Sequence, residues 1–255
     1  MTVKYKTKAF IFKKTDRNEA DRIFSVFTDQ FGRLDIYAKA IRKDVSKLRS
    51  GIDSFFISDI EFIQGTNKKT LTDAVALEKF NNIYKDIEKF KIANKIGDVL
   101  DNFIKGEEKD KEIFNLVNEA FVKLNNCTLG NKPCTLIYYY FLWNLLSTLG
   151  YRSEVYECAG CHKKLIPYDL YFSSKEGGVI CGECEKNKDI LHESLPNGPR
   201  KVNSDIVKIL RLFLKNDWQT LSKLKIEVVS QNLLKNISDN YYAYILSSGG
   251  IKANL

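Results

Sequence analysis

Along the first 80 residues, apolar and polar positions change places at short range. Five runs, VKYKTKAFIFKK (3–14), RIFSVFTD (22–29), RLDIYAKAIRK (33–43), FFISDIEFIQG (55–65) and KTLTDAVALEKF (69–80), are rich in β-branched and aromatic residues and are parted by turn-like breaks. In the third, Leu34, Ile36, Ala38 and Ala40 share one face and Asp35, Tyr37, Lys39 and Ile41 the other, the period of a strand. Five short strands with no long helical pattern among them predict a small closed barrel, for which the OB-fold is the commonest five-stranded form.

From about residue 81 the period lengthens. Ile92, Ile96, Val99, Leu100 and Phe103 make the stripe of a core-facing helix, and Ile113, Leu116, Val117, Ala120, Phe121 and Leu124 make a second. Pro133 then precedes a nearly all-apolar helix over 134–149, closed by Gly150. A helix apolar all round belongs in the middle of a bundle. Its run is shorter than the ~20 residues of a membrane span and carries Asn144 at its centre. The dense Pro/Gly stretch LPNGPR (195–200) reads as a linker. Helices resume at SDIVKILRLFLKN with Ser204 as the expected cap, and a last helix is expected over about 225–247, before Gly249 and Gly250. The fold class is α+β: a barrel over 1–80, then a helical domain over 81–255.

Four of the six cysteines interrupt that helical domain. Cys158 and Cys161 form one C-x-x-C, Cys181 and Cys184 another, with 19 residues between them. Two such pairs at this spacing offer a tetrahedral ion four thiolates. PYDLYFSS and GGVICGEC read as strands that bring the second pair back to the first, so a four-cysteine zinc ribbon is expected over about 156–187, with one structural Zn2+ per chain. A thioredoxin-like site needs a single pair in a βαβ setting, and disulfides need an oxidising compartment. The N-terminal stretch is too broken by charge for a signal peptide, which makes the cytoplasm the expected location. Zinc is therefore preferred to redox or disulfide chemistry, and four cysteines leave no open position for a water nucleophile. Cys127 and Cys134, in a short interhelical linker, read as buried or incidental thiols.

Charge adds a partner. Forty Lys and Arg against 32 Asp and Glu give a formal charge of +8, which favours polyanions. Residues 32–50 concentrate it, with Arg33, Lys39, Arg42, Lys43, Lys47 and Arg49 against Asp35 and Asp44, and Tyr37 among them. Cationic grooves that follow phosphates, with aromatic faces for bases, are how single-stranded nucleic acid is held; an alternative is a strand edge guarded by lysines. A second basic cluster, which includes Lys208, Arg211 and Lys215, lies beside the apolar stripe IVKILRLFL and would suit an acidic, hydrophobic peptide tail.

Signatures of catalysis are missing from the sequence. His162 follows Cys161 in a knuckle turn, His192 stands apart, and neither lies in H-E-x-x-H. There is no G-x-S-x-G, no Walker-type loop and no G-x-G-x-x-G, and Glu107 and Glu108 sit in a charged turn.

These residues resemble the RecO family of bacterial DNA-repair proteins, the recombination mediators. EADRIFSVFTDQFGRLDIYAKAIRK is similar to that family's E-x-D-R/K strand, T-x-x-x-G turn and A-K-G end, with Ala40 standing where the family commonly has glycine. SKLRSGIDSFFISDIEF is also similar to the family, and LSTLGY, the two C-x-x-C pairs and GGVICGEC are similar to its zinc-bearing branch. The resemblance implies an OB-fold, a helical domain with an embedded zinc ribbon, and binding to single- and double-stranded DNA. It further implies annealing of complementary strands and loading of RecA onto DNA coated by single-stranded DNA-binding protein (SSB), with RecR as partner. Arg33, Lys39, Arg42, Lys43, Lys47 and Arg49, with Tyr37, are then the expected DNA contacts, and Lys208, Arg211 and Lys215 the expected contacts for the SSB tail. The rival readings are a zinc-ribbon RNA-binding accessory factor of transcription or translation, and a redox-regulated interaction protein.

Overall fold

The computed structural model describes residues 3–128, 134–186 and 198–248 of the 255. Pro133, His192, residues 195–197 of the linker and the Gly249–Gly250 pair lie outside them. The chain separates into two compact units, 1–141 and 142–255.

In the first unit, β1 (Lys4–Arg17), β2 (Asp21–Thr28), β3 (Gly32–Ala38), β4 (Ile57–Gln64) and β5 (Lys69–Glu78) close into a barrel in the order β1-β2-β3-β5-β4. The five-stranded barrel is as expected. Closure depends on a short parallel pairing of β3 with β5, where Tyr37 meets Thr70. Alternate residues, among them Ala9, Ile11, Phe24, Val26, Leu34, Ile36, Ala38, Ile60 and Phe62, fill the interior. Outside, α1 (Asn81–Tyr84), α2 (Ile87–Phe103) and α3 (Lys111–Asn126) follow. The five residues expected on the α2 stripe and the six on α3 are all buried. Phe121 of α3 packs on Phe10, Phe55 and Phe80 with ring centroids 4.5, 5.6 and 5.6 Å apart. Because helices cover them, the outward residues Phe10, Phe12 and Phe27 are as buried as the inward ones.

Strand β3 ends at Ala38, five residues earlier than its sequence pattern implied. Ala40 lies at φ 53°, in the left-handed region, so the chain turns out of the sheet and Ile41 swings back into the core.

Helix α4 (Thr135–Thr148) is apolar all round, as expected, and every residue from Leu136 to Leu146 except Tyr139 is buried. In the second unit, β6 (Leu170–Ser173) and β7 (Gly178–Cys181) form the expected ribbon, and α5 (Gly182–Lys186) carries Cys184. A third strand, β8 (Arg200–Val202), pairs with β6 and had no signal of its own, being only three residues long. Helices α6 (Ser204–Leu214), α7 (Trp218–Leu221) and α8 (Val228–Ser247) complete the unit. Asn203, not Ser204, caps α6: its side chain accepts the Ile206 N–H. Trp143, Phe172 of β6 and Tyr241 of α8 meet with centroids 5.3–5.5 Å apart, and Trp143 Nε1 donates to Ser238 Oγ at 3.0 Å. This aromatic knot fastens the ribbon to the helices of its own unit.

Cys127 and Cys134 are not thiols. They are joined as a disulfide with Cα atoms 6.1 Å apart, which corrects the reading of the linker cysteines.

Candidate nucleic-acid interface and metal centre

Two sequence motifs build the platform beside the barrel. In the T-x-x-x-G turn, Thr28 Oγ1 donates to Gly32 O at 2.9 Å and accepts the Phe31 N–H, while Gly32 takes φ 63°. A β-carbon at Gly32 would stand 2.3 Å from the Glu108 carbonyl oxygen, so only glycine fits. In E-x-D-R, Asp21 accepts the backbone N–H of Ala40 at 2.7 Å, the Tyr37 hydroxyl and the Asn18 amide. Those three donors, Ala40 first, bring its carboxyl down to about 2. The same hydrogen bond raises the Tyr37 hydroxyl above the ordinary tyrosine range.

Beyond Ala40 the chain advances by consecutive turns, Lys43 N–H to Ala40 O, Ser46 N–H to Lys43 O and Arg49 N–H to Ser46 O. Ile41 and Leu48 peg this segment to the core. Lys39, just before this segment, and Arg42, Lys43, Lys47 and Arg49 on it are all exposed. Among the described residues their ion pairs are with Asp16 and Asp44, Arg42 to Asp16 at 3.6 Å and Arg49 to Asp44 at 3.0 Å, and pairs this exposed neutralise little.

Arg33 and Tyr37 stand apart from that exposed group. Arg33 donates through Nη1 to the carbonyls of Asp101 and Ile104 at 3.0 and 2.8 Å, and through Nη2 to Asp101 Oδ1 at 2.6 Å. Its guanidinium thus closes the C-terminal end of α2, where orphan carbonyls and the helix dipole favour a cation. Burial works against charge on Asp101, but Lys13 and Arg33 outweigh it and hold the carboxyl below the usual range. The Tyr37 ring carries the Lys68 ammonium 3.8 Å from its centroid. Asp21, Asp101 and Lys68 escaped the sequence reading. Asp21 could have been found, since it is the aspartate of E-x-D-R; the other two become neighbours only through barrel closure and helix packing.

The metal centre is more compact. Sγ atoms of Cys158, Cys161, Cys181 and Cys184 all lie within 4.8 Å of one another. Cys181 Sγ is 3.7 Å from Cys158 Sγ and 3.9 Å from Cys161 Sγ. A tetrahedron with metal–sulfur bonds of about 2.3 Å has edges of about 3.8 Å, so the donors fit a tetrahedral, thiolate-binding ion. Burial opposes a charge on Cys158, yet N–H groups of Cys161, Cys181 and Gly160 aimed at its sulfur prevail and bring the thiol down to about 6. Burial and the neighbouring sulfurs push the Cys184 thiol up. His162 takes φ 60° in the knuckle turn, its N–H bonded to Cys158 O, and stands outside the four-sulfur group.

On α6, Lys208 is exposed beside Asp205 at 3.0 Å. Arg211 Nε donates to Val155 O at 2.9 Å and its guanidinium lies 5.0 Å from the Tyr156 ring centroid, with the Lys215 ammonium 5.9 Å from the same ring. Arg211 therefore ties α6 to the approach of the first knuckle, whereas Lys208 and Lys215 extend outward.

Residues 1–80 match the family model described as Recombination protein O N terminal, and residues 84–254 match Recombination protein O C terminal. The chain belongs to the RecO family. The DNA repair protein RecO of Dehalococcoides mccartyi is 33% identical over 229 residues, 89% of this chain and 85% of the relative. That of Thermoanaerobacter sp. is 26% identical over 236 residues, 92% and 90% of the two chains. RecO of Caldicellulosiruptor saccharolyticus is 23% identical over 241 residues, 94% and 93%. Membership makes this a DNA repair and recombination protein of a non-enzymatic family, and the four-cysteine group sets it with the zinc-bearing RecO branch. Among the described residues no helix is long and apolar enough to cross a membrane.

Proposed function

We propose that the protein is a recombination mediator that binds single- and double-stranded DNA on its barrel, anneals complementary strands, and with RecR helps to load RecA onto SSB-coated DNA in the bacterial cytoplasm. The observation that carries this reading is the run of five exposed cations, Lys39, Arg42, Lys43, Lys47 and Arg49, held on a barrel whose residues match the RecO N-terminal model. Annealing requires no bond to be made or broken by the protein. It requires cations that screen two phosphate backbones while the bases stay free to pair. The five cations do this through phosphate contacts. Arg33 and Tyr37 serve the same surface by positioning, Arg33 by fixing β3 against the end of α2 and Tyr37 by holding Asp21 under the loop.

Cys158, Cys161, Cys181 and Cys184 hold one zinc ion. When bound, the ion supplies a rigid cross-link between the two knuckles, and its four thiolates complete the coordination shell. Lys208, Arg211 and Lys215 form the α6 face that receives the acidic SSB tail.

Binding of matched single-stranded DNA, duplex DNA and RNA over a range of salt tests the reading. Affinity for both DNA forms that falls steeply as salt rises is expected. A marked preference for RNA, through its 2′-hydroxyls, would overturn it in favour of an RNA-associated factor.

A further inference from the structure

The six cysteines form two sulfur sites of opposite kind. Four keep unbonded thiols in the metal-binding group, while Cys127 and Cys134 are bonded to each other. That pair lies wholly in the first unit and the four lie wholly in the second. Cys127 is the C-cap of α3, and Cys134 stands one residue before α4, its carbonyl accepting the Ile137 N–H at 3.0 Å.

We propose that Cys127 and Cys134 are a reversible thiol–disulfide modification site that clips the end of α3 to the start of α4, independently of the four-cysteine centre. The two sulfurs differ in access. Cys134 is 3% exposed, whereas Cys127 is partly open to solvent. An incoming small thiolate therefore reaches the Cys127 sulfur first. Cys134, at the N-terminal end of a 14-residue helix, is the leaving group, and the N–H groups of the first helical turn favour its thiolate.

The chemistry balances as ordinary exchange. Attack on Cys127 Sγ breaks the Cys127–Cys134 bond, and its electron pair stays on Cys134 Sγ, which takes a proton or remains thiolate. A second small thiol resolves the mixed disulfide, leaving two protein thiols and one low-molecular-weight disulfide. Closure is the reverse, with that small disulfide as the oxidant that accepts two electrons and two protons.

The end of α3 does not depend on the clip. Asn125 O accepts from the Nζ of buried Lys89 at 3.1 Å, and Asn125 Oδ1 accepts the Asn82 N–H at 3.0 Å. What the bond adds is a covalent link from that fixed end to the start of α4.

The test uses the full-length, zinc-loaded protein equilibrated in glutathione buffers from reducing to oxidising, then alkylated and mapped by mass. The expected result is one two-electron transition at Cys127 and Cys134 with zinc content unchanged. The thermal midpoint should be higher by roughly 5 °C in the bonded form, and Cys127→Ser should show the lower midpoint in every buffer. Two free thiols in the most oxidising buffer, or a bond that survives the most reducing one, would overturn the proposal. So would linkage only when zinc is lost. Mass mapping of the unaltered chain decides the matter even if the variant does not fold.

Discussion

Asp21 Oδ1 accepts the backbone N–H of Ala40 at 2.7 Å, and so the first residue of β2 fixes the point at which the chain leaves β3. Ala40 sits at φ 53°, where a β-carbon is crowded and glycine is not. Ala40→Gly should therefore raise stability, by about 1 kcal/mol. Urea unfolding of the two proteins measures it; a lower midpoint for the glycine variant would mean that the left-handed turn is not strained.

Acid separates this contact from the rest of the barrel. Asp21 titrates at about 2 in the folded chain, against about 3.9 for a free aspartate. A depressed carboxyl stabilises the fold fully above the unfolded value and loses that contribution as pH falls through the folded one. The stability difference between wild type and Asp21→Asn should therefore be constant above about pH 5 and shrink between about pH 4 and pH 2. A carboxyl carbon NMR titration with a midpoint near 4 would count against the three-donor cradle.

Arg33 bridges two carbonyls and a carboxylate through one planar group. Arg33→Ala should cost about 2–4 kcal/mol, and Arg33→Lys should recover little, because a lysine cannot span that set. The salt slope of DNA binding should stay as in wild type for the folded variant. A slope reduced by about one would instead make Arg33 a phosphate contact.

Reversing Arg42 and Lys43 to glutamate should leave folding intact, since both are exposed, and weaken binding to every DNA sequence alike. Log affinity against log salt should lose about two units of slope. Unchanged binding would put the DNA on another surface.

Cys181→Ser removes one of four sulfurs from the centre, and Phe172→Ala removes one ring of the knot that fastens the ribbon. Both should destabilise, Phe172→Ala by about 3–5 kcal/mol, but only the serine variant should lose zinc. Metal analysis beside thermal melting separates the two effects. A stable, zinc-free Cys181→Ser protein would make the ribbon independent of metal.

The barrel was legible because β3 alternates cleanly: Leu34, Ile36 and Ala38 face the core while Asp35 meets water. Strand β1 was legible as a strand but not as a covered one, since the run from Ala9 to Phe12 has no polar face to mark and owes its outer burial to helices distant in sequence. The end of β3 lies earlier than the pattern implies because Ala40 continues the alternation, and only the Asp21 contact reveals the turn. Cysteine spacing exposed the metal centre because each C-x-x-C is a local turn. The Cys127–Cys134 bond stayed hidden, since it depends on where α3 ends and α4 begins.

The most direct measurement is the rate at which two complementary DNA strands, each precoated with SSB, form duplex when the zinc-loaded protein is added without nucleotide. A mediator with its cations on residues 39–49 should accelerate duplex formation, lose that acceleration as salt rises, and lose most of it when Arg42 and Lys43 are reversed. No acceleration at any salt would contradict the proposed annealing activity.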